Sequence, residues 1–186
     1  MDELGKAISL LRQKIEGFAV NPAKGLPEEL FLLVSELVPL VNVDLMVIDK
    51  QKGVLLSWRD DPFSGTGWHI PGGCVRLREA LEQRIQRTAI TELGYEVIFE
   101  PKPIAVEELI ASQHRENIVN QNTRAHNIAL LYECRFSDGV TISNEGRDST
   151  TPGYLQWYKT VPTDLLPLQK CYQPIINTYL ERRSYV

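Results

Sequence analysis

Gly72, Gly73, Glu79, Arg87, Glu92 and Gly94 fall in one register, a glycine loop running into a helix that carries acidic and basic residues. Glycines admit close approach of backbone to a ligand, and a helix behind such a loop can offer carboxylates to a metal or cations to a phosphate. Positions three and four apart share a helix face, so residues 88, 91 and 92 lie together in its last turns. They are Thr88, Thr91 and Glu92, so one carboxylate stands where a fully acidic turn would present three. Magnesium keeps several waters and is often held by one or two carboxylates plus substrate phosphates. A one-metal diphosphate site is therefore expected, with Mg²⁺ as the cofactor, Mn²⁺ as a substitute, and no multi-metal cluster.

The elements that must position these residues follow from periodicity. Leu4, Ile8, Leu11 and Ile15 recur at helical spacing, and a second helix follows Pro27 with Leu30, Phe31, Val34 and Leu37 as its apolar face. Both are expected to pack on the main fold. From Val41 the period becomes two, and a turn at 49–53 predicts a hairpin into 54–59. A polar loop over 60–68 is expected to lead to a short strand at 68–70. The helix over 79–93 places Leu81, Ile85, Ala89 and Leu93 on one face, with Gly94 as its left-handed exit. Strands are predicted near 96–99, 103–112, 127–136 and 154–158, and a helix after Pro174. Intermixed strands and helices predict a mixed sheet covered by helices, an α/β class.

The 186 residues, 43% hydrophobic and 24% charged, suit one globular domain. Net charge −4 argues against a protein driven onto nucleic acid by its own cations. Cys74, Cys134 and Cys171 are odd in number and widely spaced, which suggests neither a disulfide framework nor a zinc site. No apolar run reaches the roughly 18 residues of a membrane span, and a cytoplasmic protein without membrane contact is expected.

The run from Gly73 through Glu79 and Arg87 to Glu92 and Gly94 resembles the Nudix box, so the chain is identified as similar to the Nudix hydrolase superfamily. The resemblance implies an α/β/α sandwich with a mixed sheet over 35–186, preceded by a helical extension over 1–34. Two acidic positions of the box are Thr88 and Thr91 here. Within the family, Pro39 to Asp44, Trp68 to Gly73 and Glu92-Leu93-Gly94 are most similar to GDP-mannose mannosyl hydrolases, which attack the sugar carbon rather than phosphorus. That resemblance implies Gly72 and Glu92 as metal ligands, Arg59 bracing a departing diphosphate, and Asp44 and His114 beside the sugar of a nucleoside-diphosphate sugar. Cys74 replaces the arginine those enzymes carry after the second glycine. Residues 148–153 lack their Gln-His pair, which leaves the general base unassigned, with Asp148 or Glu145 as candidates.

Two alternatives stay open at this stage. One is cleavage at the diphosphate, with Glu107, Glu108 or Glu145 supplying missing ligands. The other is a nucleotide-binding module without turnover. Glu79 and Arg87 read as a structural brace between loop and helix. Trp68 reads as sheet packing, and self-association through the N-terminal helices is a further expectation.

Overall fold

A computed structural model describes residues 2–19, 25–111 and 123–182. Four α-helices and eight strands follow in order: α1 Glu3–Ala19, α2 Glu28–Leu37, β1 Leu40–Asp49, β2 Gly53–Asp61, β3 Gly65–His69, β4 Gly72–Cys74, α3 Leu81–Leu93, β5 Ile98–Phe99, β6 Ala105–Ile110, β7 His126–Arg135, β8 Leu155–Tyr158 and α4 Gln173–Arg182. A 3-10 segment, Pro167–Tyr172, leads directly into α4.

β1 is the centre of the sheet. It runs parallel to β7 from Leu40 against Asn127 to Val47 against Cys134, and antiparallel to β4 and, at its far end, to β2. β2 then pairs with β3 and β8, while β5 and β6 extend the other side along β7. Parallel and antiparallel ladders meeting on one strand make the mixed sheet that the intermixed periodicities predict.

Alternate residues of a strand face opposite sides, and both sides of β1 are buried. Val43, Leu45 and Val47 pack with Ile85, Ala89 and Leu93 of α3, whereas Met46 packs with Tyr172 and Ile176 on the opposite face. Helices thus cover both faces of the sheet, giving the α/β/α sandwich.

Several boundaries differ from expectation. The polar loop expected over 60–68 is largely strand, because Asp61 accepts hydrogen bonds from the Phe63 and Ser64 amides (2.8 and 2.7 Å) and closes a tight hairpin between β2 and β3. α3 begins at Leu81 rather than 79; Arg78 adopts φ 63° and breaks the helical path. Gly94 leaves α3 at φ 81°, the left-handed exit its position predicts.

The N-terminal helices part company. α2 is held to the body by Ser35, whose hydroxyl accepts from the Arg124 amide (3.0 Å), and by Phe31 beneath the Arg124 guanidinium. The expected packing of α1 on the main fold is not what the structure has: its stripe stays open, with Leu4 68% exposed.

Candidate functional site

The site begins with the pairing of β1 and β4. Asp44 stands opposite Gly72 and Val43 opposite Gly73. Leu45 donates to the Pro71 carbonyl and Val75 to that of Val41, so the alternating ladder spends the backbone of 71, 73 and 75 on β1. Gly72 therefore turns its own N–H and C=O to the other edge of β4, which pairs with no further strand. Its missing side chain matters too, because a Cβ there would collide with Asp44 Oδ1. The same holds at Gly73, where a Cβ would strike Thr88 Oγ1.

A buried ion cluster fixes the loop to α3. Glu79 accepts from the Arg76 amide (3.0 Å), Arg84 Nε (2.8 Å) and Arg87 Nη1 (2.6 Å). Arg84 Nη2 also lies 2.7 Å from Glu79 Oε2 but off the line of a hydrogen bond, so Nε carries that contact. The Glu79–Arg87 brace is as the sequence suggests; Arg84 is an addition that helical spacing alone did not single out.

Asp44 is 3% exposed and accepts a 2.7 Å hydrogen bond from the Tyr172 hydroxyl. Burial pushes its carboxyl up to about 6, against the pull of the Tyr172 hydrogen bond and the Arg59 charge. His69, equally buried, holds its Nδ1 2.8 Å from the Ile70 carbonyl. Burial first and the Arg59 charge second drive its ring down to about 3, so it is a neutral imidazole at ordinary pH. A neutral ring beside a carbonyl donates from Nδ1 and leaves Nε2 as an acceptor. Gln169 completes this wall by bonding the backbone of Ile70.

Asp44, His69 and Gln169 line one pocket with Arg59, Gly72, Gly73, Asn42, Asn127, Arg124 and Phe31. Its volume, about 110 Å³, suits one polar group rather than a whole nucleotide. A larger cleft of about 580 Å³ lies elsewhere, between the ends of β1 and β7 and α4, and is lined by none of these residues.

Charge around the loop is strongly positive despite the acidic chain. Arg76, Arg84 and Arg124 all act on Cys74, and burial raises its thiol above the usual range, so it is not poised as a nucleophile. Arg124 is held between Phe31 and Phe63, 5.5 and 5.2 Å from their ring centroids. Arg59 leans on Asp61 (3.5 Å) and Ser64 (3.5 Å) in the β2–β3 hairpin.

Of the residues singled out in the sequence, Asp44, Arg59 and Gly72 meet in this pocket. Glu92 is half-buried in the last turn of α3; burial raises its carboxyl, and the Arg59 charge opposes that rise. His114 lies outside the described residues. Asp148 and Glu145 do not line the pocket: Asp148 is tied to Thr150 and Thr151, and those bonds hold its carboxyl below the usual range. Trp68 is buried against Trp58 and Tyr158, the packing role its sequence position suggests. Tyr172, Gln169 and His69 were missed as site residues. Only His69 had a local signal, a polar ring in the apolar strand leading to Pro71.

Among the described residues no three His, Cys, Asp or Glu side chains converge as metal ligands. Thr88 leaves a buried hydroxyl without a partner where a ligand carboxylate would otherwise stand. Glu92 and the outward backbone of Gly72 are oxygen donors of the kind a hydrated magnesium ion takes alongside phosphate.

The model of the NUDIX domain family matches residues 38–171. A protein of Haloferax volcanii, the low-salt glycan biosynthesis protein Agl8, is 32% identical over 120 residues, 64% of this chain and 74% of that protein. Among solved structures, a MutT protein from Methanosarcina mazei Go1 superposes with a TM-score of 0.52 at 15% identity, over 80% of this chain and 97% of its own. A UDP-X diphosphatase gives 0.52 at 15% identity, over 95% of this chain and 80% of its own. With the box and the sandwich in place, the chain belongs to the Nudix family. The fold shared with those two structures is that of Nudix hydrolases.

Proposed function

We propose that this Nudix hydrolase acts on a nucleoside-diphosphate sugar of the GDP-mannose type by substitution at the anomeric carbon, releasing the nucleoside diphosphate. The observation that carries the reading is a single carboxylate in the last turns of α3, Glu92, beside two threonines, within reach of the charge of Arg59, which lines a pocket together with Arg124 and Asp44. Phosphorus cleavage gains most from several metals gathered around the phosphoryl group, whereas departure of an intact diphosphate needs cations on the leaving group. The relationship to a protein named for glycan biosynthesis supports a sugar-bearing substrate.

Glu92 and the Gly72 carbonyl would hold Mg²⁺, with Mn²⁺ as a substitute. Bound there, the ion would offset charge developing on the leaving diphosphate. Arg59, with Arg124 beside it, binds and orients that diphosphate. Asp44 takes the role of base that neither Asp148 nor Glu145 is placed to fill. Tyr172 occupies its Oδ2, leaving Oδ1 at the glycine loop to accept a proton from water as the water oxygen bonds to the anomeric carbon and the bond to phosphate oxygen breaks. His69 Nε2 supplies a neutral acceptor on the same wall.

Hydrolysis of GDP-mannose in ¹⁸O-labelled water tests the bond broken. Label in mannose and release of GDP are expected; label in phosphate with release of GMP would overturn this chemistry. Glu92→Gln should lower kcat at least about 100-fold, the usual scale for removing one element of transition-state stabilisation.

A further inference from the structure

A histidine buried for packing alone uses both ring nitrogens on the protein, because a hydrogen bond left unmade in the interior is costly. His69 uses one. It is 3% exposed, its Nδ1 lies 2.8 Å from the Ile70 carbonyl, and among the described residues nothing bonds its Nε2. The ring also lines the pocket of the site, so the pocket is where a partner for Nε2 can enter.

The tautomer is held from outside the ring. The Ile70 amide donates to Gln169 Oε1 (2.5 Å) and Gln169 Nε2 donates to the Ile70 carbonyl (3.3 Å), so a side chain of the 3-10 segment pairs with that backbone as a neighbouring strand would. The carbonyl is thereby fixed, it can only accept, and the proton of the neutral ring sits on Nδ1. Burial and the Arg59 charge keep the ring neutral. Nε2 is left as a lone pair, and Asp44 supplies a second acceptor to the same pocket. Phosphate oxygens carry no hydrogen to give to either group, whereas a hydroxyl does.

We propose that His69 is a specificity-determining residue whose Nε2 accepts a hydrogen bond from a ring hydroxyl of the sugar, with Gln169 as the positioning residue that holds it ready through Ile70. The inference rests on the nucleotide-sugar reading above and adds which part of the substrate enters. The acceptor wall takes the hydroxyl edge of the sugar, and the diphosphate is left to Arg59 and Arg124, which line the same pocket. A sugar lacking that hydroxyl leaves Nε2 buried and unpaired, and sites of this kind reject such analogues far more strongly than apolar pockets reject a missing methylene.

The test is the selectivity among sugars. GDP-mannose and its monodeoxy analogues, one for each free hydroxyl, are assayed with the wild type and with His69→Phe, which keeps a buried ring and removes both nitrogens. On the wild type one analogue should lose at least about 100-fold in kcat/KM, and His69→Phe should lose a similar factor on GDP-mannose while handling that analogue within about threefold of it. Equal use of every analogue by the wild type, or a His69→Phe loss shared by all the sugars, would overturn the assignment; the second pattern is that of a purely structural ring. Nitrogen-15 spectra of the ring at neutral pH give a readout that needs no turnover. Nδ1 should be protonated and Nε2 bare, Nε2 should shift with GDP-mannose and not with GDP, and Gln169→Leu should let the two tautomers mix. A proton on Nε2 in the wild type, or an Nε2 signal that does not distinguish GDP-mannose from GDP, would overturn the proposal, and a tautomer unmoved by Gln169→Leu would overturn the role of Gln169. A ratio among sugars holds whichever bond is cut, so label found in phosphate would remove the anomeric chemistry and leave this selectivity standing.

Discussion

Residue by residue, the site depends on groups kept in unfavourable environments. Thr88 Oγ1 is buried without a partner, so Thr88→Val, which keeps the shape and removes the hydroxyl, should raise stability by about 1 kcal/mol. Denaturant melts would show it; a loss of similar size would mean that the hydroxyl has a partner. Asp44 is the opposite case, a buried carboxyl that has a partner in the Tyr172 hydroxyl. Asp44→Asn keeps an acceptor for Tyr172 but cannot take a proton, and kcat should fall about 100-fold or more while the fold is retained. Turnover within a factor of a few of wild type would remove Asp44 from the role of base.

At the scale of elements, the glycine loop and α3 act as one unit because Glu79 ties them. Its side chain is fully buried and meets two guanidiniums, so Glu79→Gln leaves the buried Arg84 undercompensated, while the part-exposed Arg87 keeps water. A cost of about 3–5 kcal/mol is expected in thermal or chemical unfolding. Nucleotide binding should weaken with it, since Gly72 and Gly73 hold their places against Asp44 and Thr88 only while loop and helix stay docked. The 3-10 segment before α4 is the second positioning element. It was not foreseen, yet it delivers Gln169 to the Ile70 backbone and Tyr172 to Asp44 across 128 residues of sequence.

For the whole molecule, two buried titrating groups give the pH dependence of folding opposite signs. His69 is held near 3, below the usual 6.5, so its contribution is complete above about 6.5 and is lost as pH falls towards 3. Asp44 is held near 6, above the usual 3.8, so its contribution is complete below about 3.8 and is lost as pH rises through 6. Between about pH 4 and 6 the two slopes oppose, each worth at most about 1.4 kcal/mol per pH unit. Thermal midpoints of the wild type should therefore change little across that window. Asp44→Asn should expose the His69 slope, with stability falling as pH drops from 6 to 4. His69→Phe should expose the Asp44 slope, with stability rising over the same drop. Parallel profiles for the two variants would contradict these environments.

The local pattern of the chain determined a good deal. The helix over the box, its exit at Gly94, the β1–β2 hairpin and the Glu79–Arg87 brace all follow from period, turn residues and charge spacing, because each is built from residues close together along the chain, and the mixed sheet follows as a class from the intermixing of strands and helices. Thr88 and Thr91 likewise announced the shortage of carboxylates by position alone. What only the tertiary structure decided rests on contacts between distant segments. Tyr172 on Asp44, Gln169 against the strand before the glycine loop, Arg124 held between Phe31 and Phe63, and α1 left open all depend on how far-apart pieces dock. Periodicity sees one element at a time. It placed Asp44 in a strand but could not say that the strand is covered on both faces, and burial on both faces is the physical reason that carboxyl is pushed up to about 6.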